Sequence, residues 1–199
     1  MDTYDSFAAL SRQEREGVDF RIVAYARPGG VAIIAPHGGH IEPQTSRLAH
    51  LIAGDVFSFY AFEGLAPGSF PRLHITSARF DEPRCLRLVA ASDRVVALHG
   101  CKGDIPLVYV GGRDLDLGRA IAAQMALAGI MAATPPAHLA GLDRTNICNR
   151  GRRGAGVQLE MTRALRDAAA ASPAVSARLA GAVRQGILNL LGGGDARGD

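Results

Sequence analysis

The sequence predicts an α/β domain with a mostly parallel, mixed central sheet and flanking helices. Short apolar runs such as Val31–Ala35, Val95–Leu98 and Leu107–Val110 alternate with longer segments of helical periodicity, the pattern of strand–helix units. Glycine and proline punctuate the junctions, as at Pro28-Gly29-Gly30, Pro67-Gly68 and Gly111-Gly112. Three strand candidates also end in ionisable residues, namely His37, His99 and Glu160. If those strands run parallel, all three side chains emerge on one edge, where open α/β sheets place their ligands.

The elements follow in order. Phe7–Arg15 suits a short covering helix, and Phe20–Ala26 alternates apolar and polar residues as a hairpin-like approach to the next strand. Val31–Ala35 reads as a buried strand stopped by Pro36, with Gly38 and Gly39 turning the chain. Pro43 and Gln44–Ala53, apolar at Leu48, Leu51 and Ile52, predict a helix closed by Gly54. Val56–Phe62 is an aromatic-rich strand, Leu73–Ser77 a short one, and Pro83 to about Ala91 a helix with Asp81 and Glu82 at its start. Val95–Gly100 and Leu107–Val110 are strands, the second leading to a helix capped by Asp114 or Asp116, with Leu117, Ile121, Met125 and Ala128 on one face. Gly129–Ala133 is another short strand. Thr134–Gly156 is a long irregular stretch, which in a compact domain is usually functional. Gly156–Glu160 is the last strand, and helices run from about Thr162 and again from Ser172-Pro173 to Leu191.

At 199 residues, 48% of them apolar, the chain suits one catalytic domain, with residues 1–19 as an N-terminal extension and 192–199 as a flexible tail. No signal-like leader and no apolar run of about 20 residues is present, so the expectation is a cytoplasmic protein with no membrane segment. Cys85, Cys101 and Cys148 form no paired motif and predict neither a disulfide framework nor a zinc ribbon. The basic residues are 21 arginines and the single Lys102, and a net charge of +3 is too small to argue for nucleic-acid binding by itself.

The chemistry gathers around Pro36-His37-Gly38-Gly39-His40-Ile41-Glu42. His37, Glu42 and His99 supply three nitrogen and oxygen donors, leaving one position of a tetrahedral zinc open to water, with one zinc per chain. Glu160 is the candidate general base. Arg144, Arg150, Arg152 and Arg153, with no acidic residue between the first and last, would suit substrate carboxylates. His74 either lines the cleft or sits satisfied in the core. His40 is a supporting group or an alternative to His37, while His50 and His138 read as structural or solvent-facing. Cys148 as a nucleophile lacks any sign of a low-pKa environment.

The segments His37-Gly-Gly-His-Ile-Glu-Pro43 with Thr45-Ser46, Ser58–Gly64, Leu73–Ser77, Phe80–Pro83, Leu98–Gly100, Asn146–Gly151 and Gly156–Glu160 resemble the poly-γ-glutamate hydrolase family, in order and at compatible spacing from about residue 20 to 190. That family, best described from phage enzymes, is similar in fold to zinc carboxypeptidases. The resemblance implies a zinc-dependent hydrolase of γ-glutamyl amide bonds, with His37, Glu42 and His99 on the metal and Glu160 as general base. The first two ligands stand five positions apart, unlike the carboxypeptidase His-x-x-Glu, a difference the two glycines can absorb. The resemblance implies an acidic polymer as partner. Two alternatives accompany it: a zinc amidase of a small acylated acidic amino acid or a cell-wall γ-glutamyl bond, and a non-enzymatic module that binds polyanions or nucleic acid.

Overall fold

The computed structural model describes residues 2–193, so the expected tail is outside them from residue 194 on. Seven strands form one mixed sheet: β1 (Phe20–Tyr25), β2 (Val31–Gly39), β3 (Ser58–Gly64), β4 (Arg94–Cys101), β5 (Val108–Gly112), β6 (Ala132–Ala133) and β7 (Val157–Thr162), in spatial order β1-β3-β2-β4-β7-β5-β6. The four central strands β3, β2, β4 and β7 are parallel, whereas β1 runs against β3 and β5 against β7. The helices are α1 (Phe7–Leu10), α2 (Thr45–Ala53), α3 (Ser69–Leu73), α4 (Pro83–Ala90), α5 (Leu115–Leu127), α6 (Arg163–Ala171) and α7 (Pro173–Gly192). Among the described residues no helix is long and apolar enough to cross a membrane.

Alternation along β2 explains the layering. Ile33 and Ala35 pack with Leu48 and Ile52 of α2, Ile121 and Met125 of α5, and Val183 and Ile187 of α7. Ala32 and Ile34 belong to the opposite core with Phe20, Phe62, Phe80, Val89 of α4 and Leu10 of α1. A sheet covered on both sides needs apolar residues at consecutive strand positions, which is why Val31–Ala35 has no polar member. Val31, Ile33 and Ile34 each contribute roughly 1.5–3 kcal/mol on burial, and the two alanines less. The caps are as the sequence indicates: the Glu82 carboxylate accepts the Cys85 N–H at the start of α4, and Asp114, not Asp116, accepts the Leu117 N–H at the start of α5.

Four expectations are corrected. β1 forms no hairpin with β2; it pairs with β3, so the sheet closes its edge across the intervening α2. Pro36 does not end β2, because the strand continues to Gly39 across a register shift between Ala35 and Gly38, where the missing proline donor falls within the irregularity. The expected strand Leu73–Ser77 is the end of α3 followed by irregular chain. Its backbone groups are spent elsewhere: the Thr76 N–H donates to Asp2, the Ser77 carbonyl accepts from Ile147, and the Ile75 carbonyl meets His37. Helix α1 stops at Leu10, well before Arg15.

Candidate metal centre and cleft

β2 and β4 pair only from Val31↔Arg94 to Ile34↔Ala97, and beyond that the two strands part. β4 stays paired with β7, and His99 is directly opposite Glu160. His37 and His99 thus face each other across the split. The segment after β2 must fold back to bring Glu42 between them, and Gly39 makes that turn at φ +62°, where an added Cβ would lie 2.3 Å from the Gly64 carbonyl oxygen. Gln44 follows at φ +77°, a conformation rare outside glycine, immediately before α2.

Three donor atoms converge there. One from each of His37, Glu42 and His99 lies within 4.8 Å of the others, and all three residues are buried. His37 Nδ1 is 3.1 Å from His99 Nδ1 and 3.3 Å from Glu42 Oε1, and His99 Nδ1 is 3.6 Å from Glu42 Oε2. The far nitrogen of His37, Nε2, is 2.8 Å from the Ile75 carbonyl, which can only accept. The proton of a neutral His37 therefore sits on Nε2, and its Nδ1 lone pair faces the carboxylate. A buried set of acceptors turned inward, with the outer donor occupied by a backbone carbonyl, fits a bound cation. Burial opposes charge on Glu42, but in the metal-free site, with the His37 and His99 imidazoles protonated toward it, their charge and hydrogen bonds prevail and hold its carboxyl well below the ordinary range. Burial works against the charged form of His99 too, yet its contact with Glu42 raises its pKa.

Glu160 is buried beside this group, and burial, reinforced by the Glu42 charge, lifts its carboxyl to about 7. A relay fixes its orientation: Asn146 Nδ2 donates to Gln158 Oε1, and Gln158 Nε2 donates to Glu160 Oε1 at 2.9 Å. The asparagine belongs to the long irregular stretch, which is thereby tied to the site. His74 lines the same cleft. Its ring centroid is 4.2 Å from that of His37, Asp2 holds its Nδ1 at 2.7 Å, and burial with the neighbouring His37 lowers its pKa to about 4.

The cleft over these residues has a volume of about 840 Å³. The four loop arginines do not line it. Arg150 donates to the carbonyls of Thr145, Phe80 and Ala78, Arg152 reaches Asp93, and Arg144 and Arg153 are exposed away from it. The loop turns them outward or into its own backbone, so the expectation that they hold substrate carboxylates finds no support in the lining of the cleft. Lys102, His138, Arg163 and Arg166 line the cleft instead. The sequence reading missed these four, although Arg163 and Arg166 directly follow the strand that delivers Glu160, which was the available signal. His40 is exposed and outside the cluster, and Cys148 is buried with its thiol pushed up to about 12, which removes it as a nucleophile.

The sequence model of the poly-gamma-glutamate hydrolase family matches residues 4–178. The UPF0714 protein YmaC of Bacillus subtilis (strain 168) is 38% identical over 170 residues, which cover 84% of this chain and 72% of YmaC. The solved structure of a bacteriophage poly-gamma-glutamate hydrolase superposes with a TM-score of 0.91 at 30% identity, covering 96% of this chain and 99% of that one. A zinc-free structure of YndL gives a TM-score of 0.79 at 33% identity, covering 84% of this chain and 83% of that one. By sequence, the match spans 66% of the full length of Bacillus subtilis YndL.

Proposed function

The chain belongs to the poly-γ-glutamate hydrolase family, and on that premise we propose that it is a zinc-dependent hydrolase of the γ-glutamyl amide bonds of poly-γ-glutamate. The observation that carries the reading is the set of three inward-facing donors at the floor of a large cleft, with a buried carboxylate on the adjoining strand. The description of the relative YndL as zinc-free favours zinc as the metal.

His37, Glu42 and His99 would hold the ion, and the carbonyl of Ile75 keeps His37 turned toward it. When bound, zinc polarises an amide carbonyl and lowers the pKa of water from about 15.7 to roughly 7. Glu160 takes the proton of the attacking water and returns it to the leaving nitrogen, so that the amine departs neutral. With its carboxyl raised to about 7, Glu160 is poised for both halves of that transfer, and a cation alongside favours its ionised form. Gln158 donates to one oxygen, which leaves the other free to exchange the proton. Cleft burial of the whole group strengthens each of these electrostatic interactions.

The test is metal content of the purified protein beside His37→Ala and His99→Ala, followed by viscosity loss of a poly-γ-glutamate solution. We expect about one zinc in the wild type, none retained by either variant, and polymer cleavage only by the zinc-loaded wild type. A wild type that takes up no zinc, or that is loaded and leaves the polymer uncut, refutes the reading.

A further inference from the structure

Arg166 is the only lysine or arginine that is buried among the described residues, and it lines the cleft. No carboxylate of those residues lies within salt-bridge distance of it, although a buried charge without a counter-ion is costly. Its Nε donates to the Met161 carbonyl at 3.2 Å, Nη1 to Pro43 at 3.0 Å and Nη2 to Cys101 at 3.2 Å. Three of the five guanidinium N–H groups are thereby used, leaving one on each terminal nitrogen. The three carbonyls belong to the segments that carry Glu160, Glu42 and His99, so the cation is indexed to the reacting centre. Gly100 makes room for it, because an added Cβ there would lie 2.7 Å from the guanidinium carbon.

The other cationic residues of the cleft differ. Lys102 and Arg163 are exposed, and Arg163 shares its charge with Asp167 at 3.5 Å. Glu42, Asp143 and Glu160 contribute negative charge to the same walls, so an anionic ligand needs a fixed counter-charge at the centre. In a γ-linked glutamate chain the scissile nitrogen is attached to a carbon bearing a free α-carboxylate, whereas inside an α-linked chain that position carries a further amide. A guanidinium held rigidly with unspent donors suits a planar carboxylate.

We propose that Arg166 receives the α-carboxylate next to the scissile nitrogen and thereby selects γ-linked over α-linked glutamate, an assignment that rests on the hydrolase reading above. Two substrates test it with the zinc-loaded protein: γ-linked triglutamate, and the same molecule with the leaving-side α-carboxylate converted to a carboxamide. The wild type should lose roughly 10- to 100-fold in kcat/KM on the carboxamide. Arg166→Gln should lose a similar factor on the free acid, chiefly through KM, and discriminate little between the two. Arg166→Lys, which keeps the charge without the fork, should fall between. Should Arg166→Gln not fold, Gly100→Ala displaces the guanidinium without removing it and should show the same loss of discrimination. Equal losses on both substrates in these variants, or a wild type indifferent to the carboxamide, would make Arg166 only a brace and overturn the proposal.

Calorimetric titration of γ-linked triglutamate into Glu160→Gln, and into Glu160→Gln/Arg166→Gln, separates this idea from the enzyme reading. Binding weakened about tenfold or more by the second substitution, with no hydrolysis by the wild type, would uphold carboxylate capture and end the hydrolase reading. Hydrolysis by the wild type with binding insensitive to Arg166 would do the reverse.

Discussion

Two arginine-bearing segments flank β7, and they put the same side chain to opposite uses. Before the strand, Arg144–Arg153 is dense in charge, yet Arg150 donates to three carbonyls of its own surroundings and Arg144 and Arg153 face solvent. After the strand, Arg166 also spends donors on three carbonyls, but within the cleft and with no acid beside it among the described residues. Charge density along a sequence is thus a poor guide to where charge acts. What matters is which sheet edge the backbone brings it to, and α6 begins on the edge where β4 and β7 end.

The comparison can be sharpened first at the centre both segments surround. Glu160→Gln should retain zinc and lower kcat by about 10²–10⁴-fold, the usual contribution of a positioned proton-transfer group, as read by steady-state kinetics with metal analysis. A variant that turns over like the wild type would move the base elsewhere, and the cleft after β7 would lose its link to the chemistry.

A smaller effect concerns pH. The folded-state carboxyl of Glu160 is raised to about 7 from an ordinary 4.5, so in the metal-free protein its stabilising contribution is complete below about 4.5 and is lost as pH rises through 7. His99, also raised, acts in the same direction. His74, lowered to about 4, acts in the opposite sense below about 6.5, so the reading is the difference between chelated wild type and Glu160→Gln in denaturant unfolding, which should decline between about pH 5 and 7.5. A difference that rises over this interval would mean that another group dominates.

The smallest effects divide the loop. Arg150→Ala should cost roughly 1–3 kcal/mol in unfolding free energy through three lost charge-assisted bonds, with KM for the polymer unchanged. Arg144→Ala and Arg153→Ala should change neither stability, beyond about 0.5 kcal/mol, nor KM. A rise in KM in any of these variants would restore the loop as a substrate-binding surface.

Much of this arrangement was legible in advance because it depends on local pattern. Apolar runs closing on His37, His99 and Glu160 announce strands and what they deliver, and Glu82 and Asp114 announce helix starts. The illegible parts depend on partners distant in sequence. Leu73–Ser77 alternates like a strand, but Asp2, His37 and Ile147 claim its backbone groups before any strand can pair with it. Pro36 looks like a stop, yet a register shift carries β2 past it. Arg166 sits in an ordinary Ala/Leu/Arg helix, and nothing local reveals that it reaches Pro43 and Cys101.

The parting of β2 from β4 has a further consequence. Where the ladder between them fails, the Gly100 N–H donates to Glu42 Oε2 at 2.9 Å, so a side chain takes the place of the absent neighbouring strand. One carboxylate of the candidate metal site is then also a piece of sheet. Loading the site must perturb a backbone amide, which makes Gly100 a built-in reporter: its amide resonance and its solvent exchange register whether the carboxylate is shared with a cation, without any substrate being present.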